Sequence, residues 1–371
     1  MIIPPTEHTT INKIYQHYER TYNDGHRAHL GGSLIGRECE RELWFTFRWA
    51  TDVHHDGRLL KLFQRGHREE LIFIDDLKQA GVEVYSGNPD GSQYTVQACG
   101  GHFGGSMDSV GRGFIEAPSR WHLIEMKTHN KKSFDQLVAN GVRETKPEHF
   151  AQMQVYMYLA EPQLERALYL AVNKDTDELY SERFHLDRAF AAAMVDKAGR
   201  IIYAKTPPPG ISSDPSFYKC KMCNQADTCH QRKGAAINCR TCVHSTPEDS
   251  GTWRCELHDI EIDKSHQLAG CTYHLYIPAF IDKHAKAVDA SDSQIVYELE
   301  GIPDRIINGN GHYHSSEIKK AIDSGSFAVL SDPNLQTFCQ YFGAKIEVLN
   351  NDTSNDDASV QLVNEGDSIP T

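Results

Sequence analysis

Three residues of complementary chemistry fall close together in the chain: Asp108, Glu125 and Lys127. The segment from Gly101 to Lys127 reads as two β-strands joined by a turn at Glu116-Ala117-Pro118-Ser119. The first strand carries Asp108 between small residues and the second ends in Glu125-Met126-Lys127. Side chains at i and i+2 of a strand share a face, so Glu125 and Lys127 project together while Met126 turns into the core. Two carboxylates can hold a hard divalent cation through oxygen. An adjacent ammonium can orient or deprotonate a water, or offset charge developing on a phosphate. The same Glu-x-Lys spacing also makes an ordinary ion pair on an exposed strand face, so further polar residues at the same place must distinguish the two readings.

The surrounding elements supply such residues. Periodicity predicts an amphipathic helix over 7–22 (Ile11, Ile14, Tyr15, Tyr18) and a second over 35–50 carrying Cys39, Arg41, Trp44 and Phe45. A long helix over 57–80 takes Leu59, Leu62, Phe63, Leu71, Phe73, Ile74 and Leu77 as its apolar stripe. His67 and Glu70, one turn apart on it, either reach a cation held by the sheet or form its wet face. Strands over 82–86 and 93–98 precede the hairpin; helices over 131–140 and 148–160 follow it. On the second of these, Gln152 and Tyr156 stand at i and i+4 on one face, placed either to meet the lysine and a bound strand or to pack in the core. Strands over 166–173 and 179–185 and a helix over 187–205 lead to Thr206-Pro207-Pro208-Pro209-Gly210, a boundary.

Composition bounds the possibilities. With 371 residues and 39% hydrophobic content the chain can bury a sizeable core, and no apolar run is long enough to span a membrane. The absence of a leader-like start leads us to expect a cytoplasmic protein without a secretory signal. The net charge is −13, five of the acids falling in the last 21 residues (Asp352, Asp356, Asp357, Glu365, Asp367), where disorder is expected. Such a balance gives no general basic surface for nucleic acid, so any phosphate contact requires a local track or bound cations. Ten cysteines in a chain without a leader favour metal ligation over disulfides.

Taken in order, Gly66-His67, Asp108, Glu125-x-Lys127 and Gln152-xxx-Tyr156 resemble the motifs of the PD-(D/E)XK nuclease superfamily, and within it the RecB-like exonuclease group, over about residues 30–230. Met107-Asp108 stands where the superfamily name has Pro-Asp, and His67 is followed by Arg68-Glu69-Glu70, so the first motif can be His67 or Glu70. The resemblance implies metal-dependent hydrolysis of DNA. Asp108, Glu125, the Met126 carbonyl and His67 or Glu70 would hold magnesium or manganese, Lys127 would serve the attacking water, and Gln152 and Tyr156 would position it. Cys39 followed far downstream by Cys220-x2-Cys223-x5-Cys229 resembles the iron-sulfur nucleases of the AddB and CRISPR-adaptation type, whose four cysteines hold a [4Fe-4S] cluster. Zinc on the same thiolates is the competing reading.

A second quartet, Cys239-x2-Cys242 with Cys255 and Cys271, reads as a zinc module in which His244, His258 or His274 could replace a cysteine. Cys99 and Cys339 are expected to be ordinary buried thiols. Beyond it, a helix over 278–288, a strand over 294–299, a capped helix from Ser315 or Ser316 through Asp323, and strands near Phe327 and Ile346 complete a region with no evident chemistry.

The fold class expected is α/β: a mixed sheet flanked by helices with a restriction-endonuclease-like core, a small Cys-rich metal module and an α+β appendage. The expected segments are N-terminal helices (1–55), nuclease core (56–206), iron-sulfur segment (207–232), zinc module (233–276), α+β region (277–349) and acidic tail (350–371). The expected function is DNA exonuclease action in recombination, replication or repair, in a bacterial or phage-infected cytoplasm, alone or with a separate helicase, recombinase or single-strand-binding protein. A phage origin would fit the compactness and the lack of helicase motifs. The alternatives are an inactive nucleic-acid-binding subunit and an interaction protein whose clustered cysteines all bind zinc.

Overall fold

The computed structural model describes residues 9–22, 25–300, 305–327, 330, 332–335 and 337, with the backbone of 345–348 and 360–363. The chain forms two compact units, Met1–Glu38 with Val53–Ile202, and Cys39–Asp52 with Tyr203–Thr371. Residues 39–52 thus leave the N-terminal helices and join the cysteine-rich half. The fold is α/β, with mixed sheets flanked by helices.

In the first unit, α1 (Thr10–Thr21) starts where the Thr9 hydroxyl accepts from the Asn12 N–H at 3.2 Å, and none of its residues is buried. Strand β1 (Leu30–Gly31) follows, then α2 (Glu40–Phe47), which belongs to the second unit. Helix α3 (Gly57–Gln79) is capped by Asp56, whose carboxylate accepts from the Leu59 N–H at 2.7 Å. Its expected stripe is only partly buried. Of the stripe, Phe73 is inside and Ile74 and Leu77 pack against the core, while Leu62, Phe63 and Leu71 are exposed; Leu60, outside the expected stripe, is buried where Leu59 is only half-buried. Twenty-three helical residues outrun the sheet beneath them, and the N-terminal part overhangs a cleft instead.

Strands β2 (Glu83–Tyr85), β3 (Thr95–Ala98), β4 (Phe103–Ser106), β5 (Ser109–Arg112), β6 (His122–His129), β7 (Arg166–Asn173) and β8 (Leu179–His185) form two sheets. The larger has the order β2-β5-β6-β7-β8, antiparallel except for the parallel pair β6/β7; the smaller is β1-β4-β3. The segment expected as one strand around Asp108 is therefore two strands in two sheets, with Asp108 at the corner between β4 and β5. Residues Ile124, Met126, Leu168 and Val172, one face of β6 and β7, pack with Phe73, Val84 and Phe114 into a core covered by α3. A parallel pair needs a crossover, here α4 (Lys131–Thr145) and α5 (Pro147–Leu159). Gly141, at φ +74°, breaks α4, and Pro147 occupies the first turn of α5, where its missing N–H costs nothing. Helix α6 (Arg188–Ile202) packs on α5.

The second unit opens with α2 and continues through short helices α7 (Tyr218–Lys221) and α8 (Ala226–Cys229). A 3-10 turn at Cys239–Thr241 leads to the antiparallel sheet β9 (Ser245–Pro247), β10 (Trp253–Cys255) and β11 (Ile260–Ile262), then to α9 (Lys264–Ala269). The helix expected over 278–288 is only a 3-10 turn at Pro278–Phe280. Lys286–Ser291 becomes β12, paired antiparallel with β13 (Gln294–Glu298), because ladder pairing outweighs a weak helical period. Strand β14 (Arg305–Gly309) completes that sheet, and α10 (Ser315–Asp323) is capped by Glu317 accepting from the His314 N–H at 2.8 Å. Phe327 lies in a 3-10 turn rather than a strand. β15 (Lys345–Val348) pairs with β16 (Val360–Val363), so four residues of the expected disordered tail are in a strand. Cys339 and the rest of 350–371 lie outside the described residues.

Candidate active site

The site is built on the end of β6. Its odd-numbered residues turn away from the core filled by Ile124 and Met126, so Glu125 and Lys127 share the opposite face. Glu125 is fully buried, and its Oε1 faces the Lys127 ammonium in an ion pair; its Oε2 accepts from Gln152 Nε2 at 3.0 Å. Asp108 Oδ2 accepts from the Met126 N–H at 3.1 Å, which anchors the β4/β5 corner to β6, and stands 3.7 Å from Lys127 Nζ. The same Nζ donates to the Met126 carbonyl at 3.1 Å. The oxygens of Asp108, Glu125 and Met126 that the sequence marks as cation donors thus converge on one positive group.

Electrostatics follow from burial. Desolvation, then the neighbouring Asp108 charge, raises the Glu125 carboxyl to about 7. Burial alone would lower Lys127, but Glu125 and Asp108 outweigh it and hold the ammonium well above its usual range. Glu70 is raised too, by burial and then by Asp108, so its carboxyl lies within electrostatic reach of the site. His67 is mostly exposed, its Nδ1 3.5 Å from Glu70 Oε2. It meets the site through Glu70. Gln152 and Tyr156 are both buried, and burial followed by Glu125 and Asp108 pushes the Tyr156 phenol upward.

An open cleft of about 640 Å³ runs beside these residues, between the overhanging part of α3 and the end of β6. Arg27, Arg65, His67, Lys127 and Lys174 line it with Glu69 and Glu70, a local cationic lining in an otherwise acidic chain. Carboxylates that repel one another in a dry site, aimed at a shared cation, fit a magnesium or manganese ion, which keeps several waters and needs few protein ligands. Among the described residues, no group of three or more His, Cys, Asp or Glu side chains is placed so that it could hold a metal ion.

Both cysteine quartets lie in the second unit. Burial and then the charge of Cys39 raise Cys220; burial pushes Cys223 up to about 12, with Cys39 and Cys229 adding to it. Cys39 also acts on Cys229, whose thiol Arg41 approaches. Cys239, Cys242, Cys255 and Cys271 line one small cavity of about 20 Å³ with His244 and His274. All eight are free thiols, and burial, with the neighbouring cysteines adding to it, raises Cys239 to about 12 and Cys242 to about 11. His274 is committed elsewhere: its ring nitrogens meet Thr241 Oγ1 at 3.1 Å and Ser315 Oγ at 2.8 Å. His258 does not line the cavity. Cys99 is half-buried, in the first unit, not fully buried as expected.

Sequence reasoning missed two features. Gly32 and Gly105 cradle Tyr156: a Cβ on Gly32 would stand 2.6 Å from its ring, and one on Gly105 2.0 Å from its hydroxyl. The paired glycines Gly31-Gly32 and Gly104-Gly105 are the hint in the sequence. Tyr169, register partner of Glu125, has its hydroxyl between His129 Nε2 at 2.9 Å and His149 Nδ1 at 3.0 Å. The signal was available on α5, where His149, Gln152 and Tyr156 follow at i, i+3 and i+7.

No protein-family profile matches the chain, and no curated protein does. Among solved structures it is similar to the alkaline exonuclease LHK-Exo from Laribacter hongkongensis, at 16% identity over 50% of this chain and 90% of that one, with a TM-score of 0.35. The structure of LHK-Exo in complex with dAMP matches at 16% identity over 51% of this chain and 89% of that one, also with a TM-score of 0.35.

Proposed function

We propose that the chain is a divalent-cation-dependent nuclease that hydrolyses phosphodiester bonds in DNA, acting as an exonuclease in recombination, replication or repair. The observation that carries this reading is the convergence of Asp108, Glu125 and the Met126 carbonyl on Lys127 Nζ at the rim of a cleft with cationic lining. Asp108 and Glu125, with the Met126 carbonyl and Glu70 or His67, are the residues that would hold magnesium or manganese. A bound ion would polarise the phosphoryl oxygen and lower the pKa of a water. Lys127, released from the carboxylates, is then placed to orient that water and to offset charge in the transition state. Gln152 fixes the Glu125 carboxylate through its Oε2, and Tyr156 closes the buried side of the site. Arg27, Arg65 and Lys174 offer the phosphates of a strand a cationic edge.

The cysteines support the finer reading that Cys39, Cys220, Cys223 and Cys229 hold a [4Fe-4S] cluster and that Cys239, Cys242, Cys255 and Cys271 hold zinc. Buried thiols that raise one another's pKa lose that penalty when a metal binds them as thiolates.

The test is cleavage of end-labelled linear and circular DNA, single- and double-stranded, with manganese or magnesium, by the anaerobically purified protein and by Asp108→Asn and Lys127→Ala. Degradation of linear DNA alone, lost in both variants, is the expected result. Cutting of circles would keep the site and make the enzyme an endonuclease. Full activity in Asp108→Asn would refute the site, and no cleavage by folded, metal-loaded protein would favour a binding subunit.

A further inference from the structure

The larger sheet of the first unit carries a group of exposed side chains that the cleft does not use. Tyr85 on β2 and Trp121, the residue before β6, are 46% and 37% exposed, with ring centroids 6.0 Å apart and ring planes tilted by 47°. Arg112 on β5 stacks its guanidinium over the Trp121 ring at 4.9 Å. One carboxylate fixes two of these groups. Glu83 accepts from the Tyr85 hydroxyl at 2.8 Å and pairs with Arg112 Nε. Single exposed apolar residues are ordinary on a protein surface. Two aromatic rings and a guanidinium held by a shared carboxylate are a prearranged surface, because side-chain freedom that a ligand would have to freeze is already lost. Tilted rather than stacked, the rings do not cover each other, and both stay open to a third planar group.

Register places this group on the face that carries the site. Glu83 pairs with Arg112, Tyr85 with Val110, and Val110 with Leu123. Odd-numbered positions of β6 face away from the core filled by Ile124 and Met126, so Trp121, Leu123, Glu125 and Lys127 follow one another on one side. Four residues of extended chain separate Trp121 from Glu125, about 13 Å, or about four steps of a stacked nucleic-acid strand. Leu123, between them, is fully buried, so such a strand would cross above its cover. Arginines gather at the same end of the sheet. Arg112 and Arg120 are exposed, and Arg166 and Arg183 act with burial to hold the imidazole of His122, next to Trp121, below its usual range, with Glu116 opposing them. Aromatic faces with guanidinium groups beside them are what successive bases of a single strand stack on, whatever the base. We propose that Tyr85, Trp121 and Arg112 form a stacking platform for the bases of single-stranded DNA bound at the Asp108 and Glu125 site. The choice of DNA as the occupant rests on the nuclease reading of that site.

The full chain offers its own reporter. Of its four tryptophans, Trp44, Trp49 and Trp253 are buried, so quenching of the emission by a bound base reads Trp121. Oligothymidylate of about 16 nucleotides and a blunt duplex of the same length are titrated into the wild type, Trp121→Phe, Trp121→Ala and Tyr85→Ala. Salt is held fixed, no magnesium or manganese is added, and affinity is followed in parallel by the anisotropy of a labelled strand. The expected result is quenching of the wild type by the single strand and not by the duplex. Affinity for the strand should fall about fivefold or more in each alanine variant and stay within about twofold in Trp121→Phe, which keeps a ring. A strand that does not bind, that binds without quenching, or that binds the alanine variants as tightly as the wild type overturns the platform; cleavage by the same protein would still uphold the nuclease reading. Quenching and weakened variants in a protein that cleaves no DNA would remove that reading and leave the platform standing. A solution mass that falls in Trp121→Ala at unchanged DNA affinity would make the patch a contact between copies and overturn the inference. If Trp121→Ala does not fold, Tyr85→Ala against the wild type gives the same comparison.

Discussion

The cradle around Tyr156 makes a demanding prediction. In Gly105→Ala the new Cβ would lie 2.0 Å from the Tyr156 hydroxyl oxygen and 2.9 Å from the ring carbon that bears it. Ordinary contact begins near 3.4 Å, so the hydroxyl must withdraw by more than an ångström. The ring cannot simply slide, because it is 3% exposed and the same Cε1 edge also rests on Gly32. Gly105 does not have a left-handed φ, so the cost is steric and not backbone strain. Overpacking of this kind costs about 1–3 kcal/mol. A shift of about 1 Å in a positioning group also lowers turnover by about 100-fold. Tyr156→Phe removes the closest contact. Urea unfolding of the wild type, both single variants and the double variant should therefore give a coupling of about 1 kcal/mol or more, with alanine tolerated better beside phenylalanine. Additive effects, or full cleavage activity in Gly105→Ala, would refute the cradle.

Gln152→Leu leaves the buried Glu125 Oε2 without its donor and should destabilise the protein by about 1–3 kcal/mol, read as a lower urea midpoint; an unchanged midpoint would sink the assignment. Burial holds His129 down to about 4 and His149 to about 3, each also facing cationic lysines, so both stay neutral in the fold while the unfolded chain takes up protons near the ordinary value of about 6.5. Their contribution is complete above about pH 6.5 and falls as the pH drops toward 4, by up to about 2–3 kcal/mol apiece at pH 4.5. His149→Gln should flatten that acid limb, and stability profiles that stay parallel would contradict it. On the cluster reading proposed above, Cys220→Ser should remove iron and visible absorption from anaerobically purified protein; a wild type without iron would refute that reading, and a variant as brown as the wild type would exclude Cys220 as a ligand.

Much of this protein is legible in its sequence where local chemistry dictates the outcome. Strands 166–173 and 179–185 and the start of α3 at Gly57 fall where the sequence places them, because the signals that set them act within a few residues. Glu125 and Lys127 share a face because a strand has a period of two, and Gln152 and Tyr156 because a helix has a period near four. Where local signals were weak, partners elsewhere in the chain decided. Lys286–Ser291 became a strand because β13 lies beside it, and the segment around Asp108 split because its two halves pair in different sheets.

Residue types and spacing therefore determined which side chains could do chemistry here: two carboxylates, a lysine and two cysteine quartets. Only the tertiary structure decided that Asp108 reaches Lys127 from a corner between sheets, that Glu70 lies nearer the site than His67, and that Gly105 leaves room for a tyrosine. It alone brought Tyr85 to Trp121. These outcomes depend on groups far apart along the chain meeting in space, and on the loss of water when they do. Such burial raises Glu125 and lowers His149, and no window of neighbouring residues contains it.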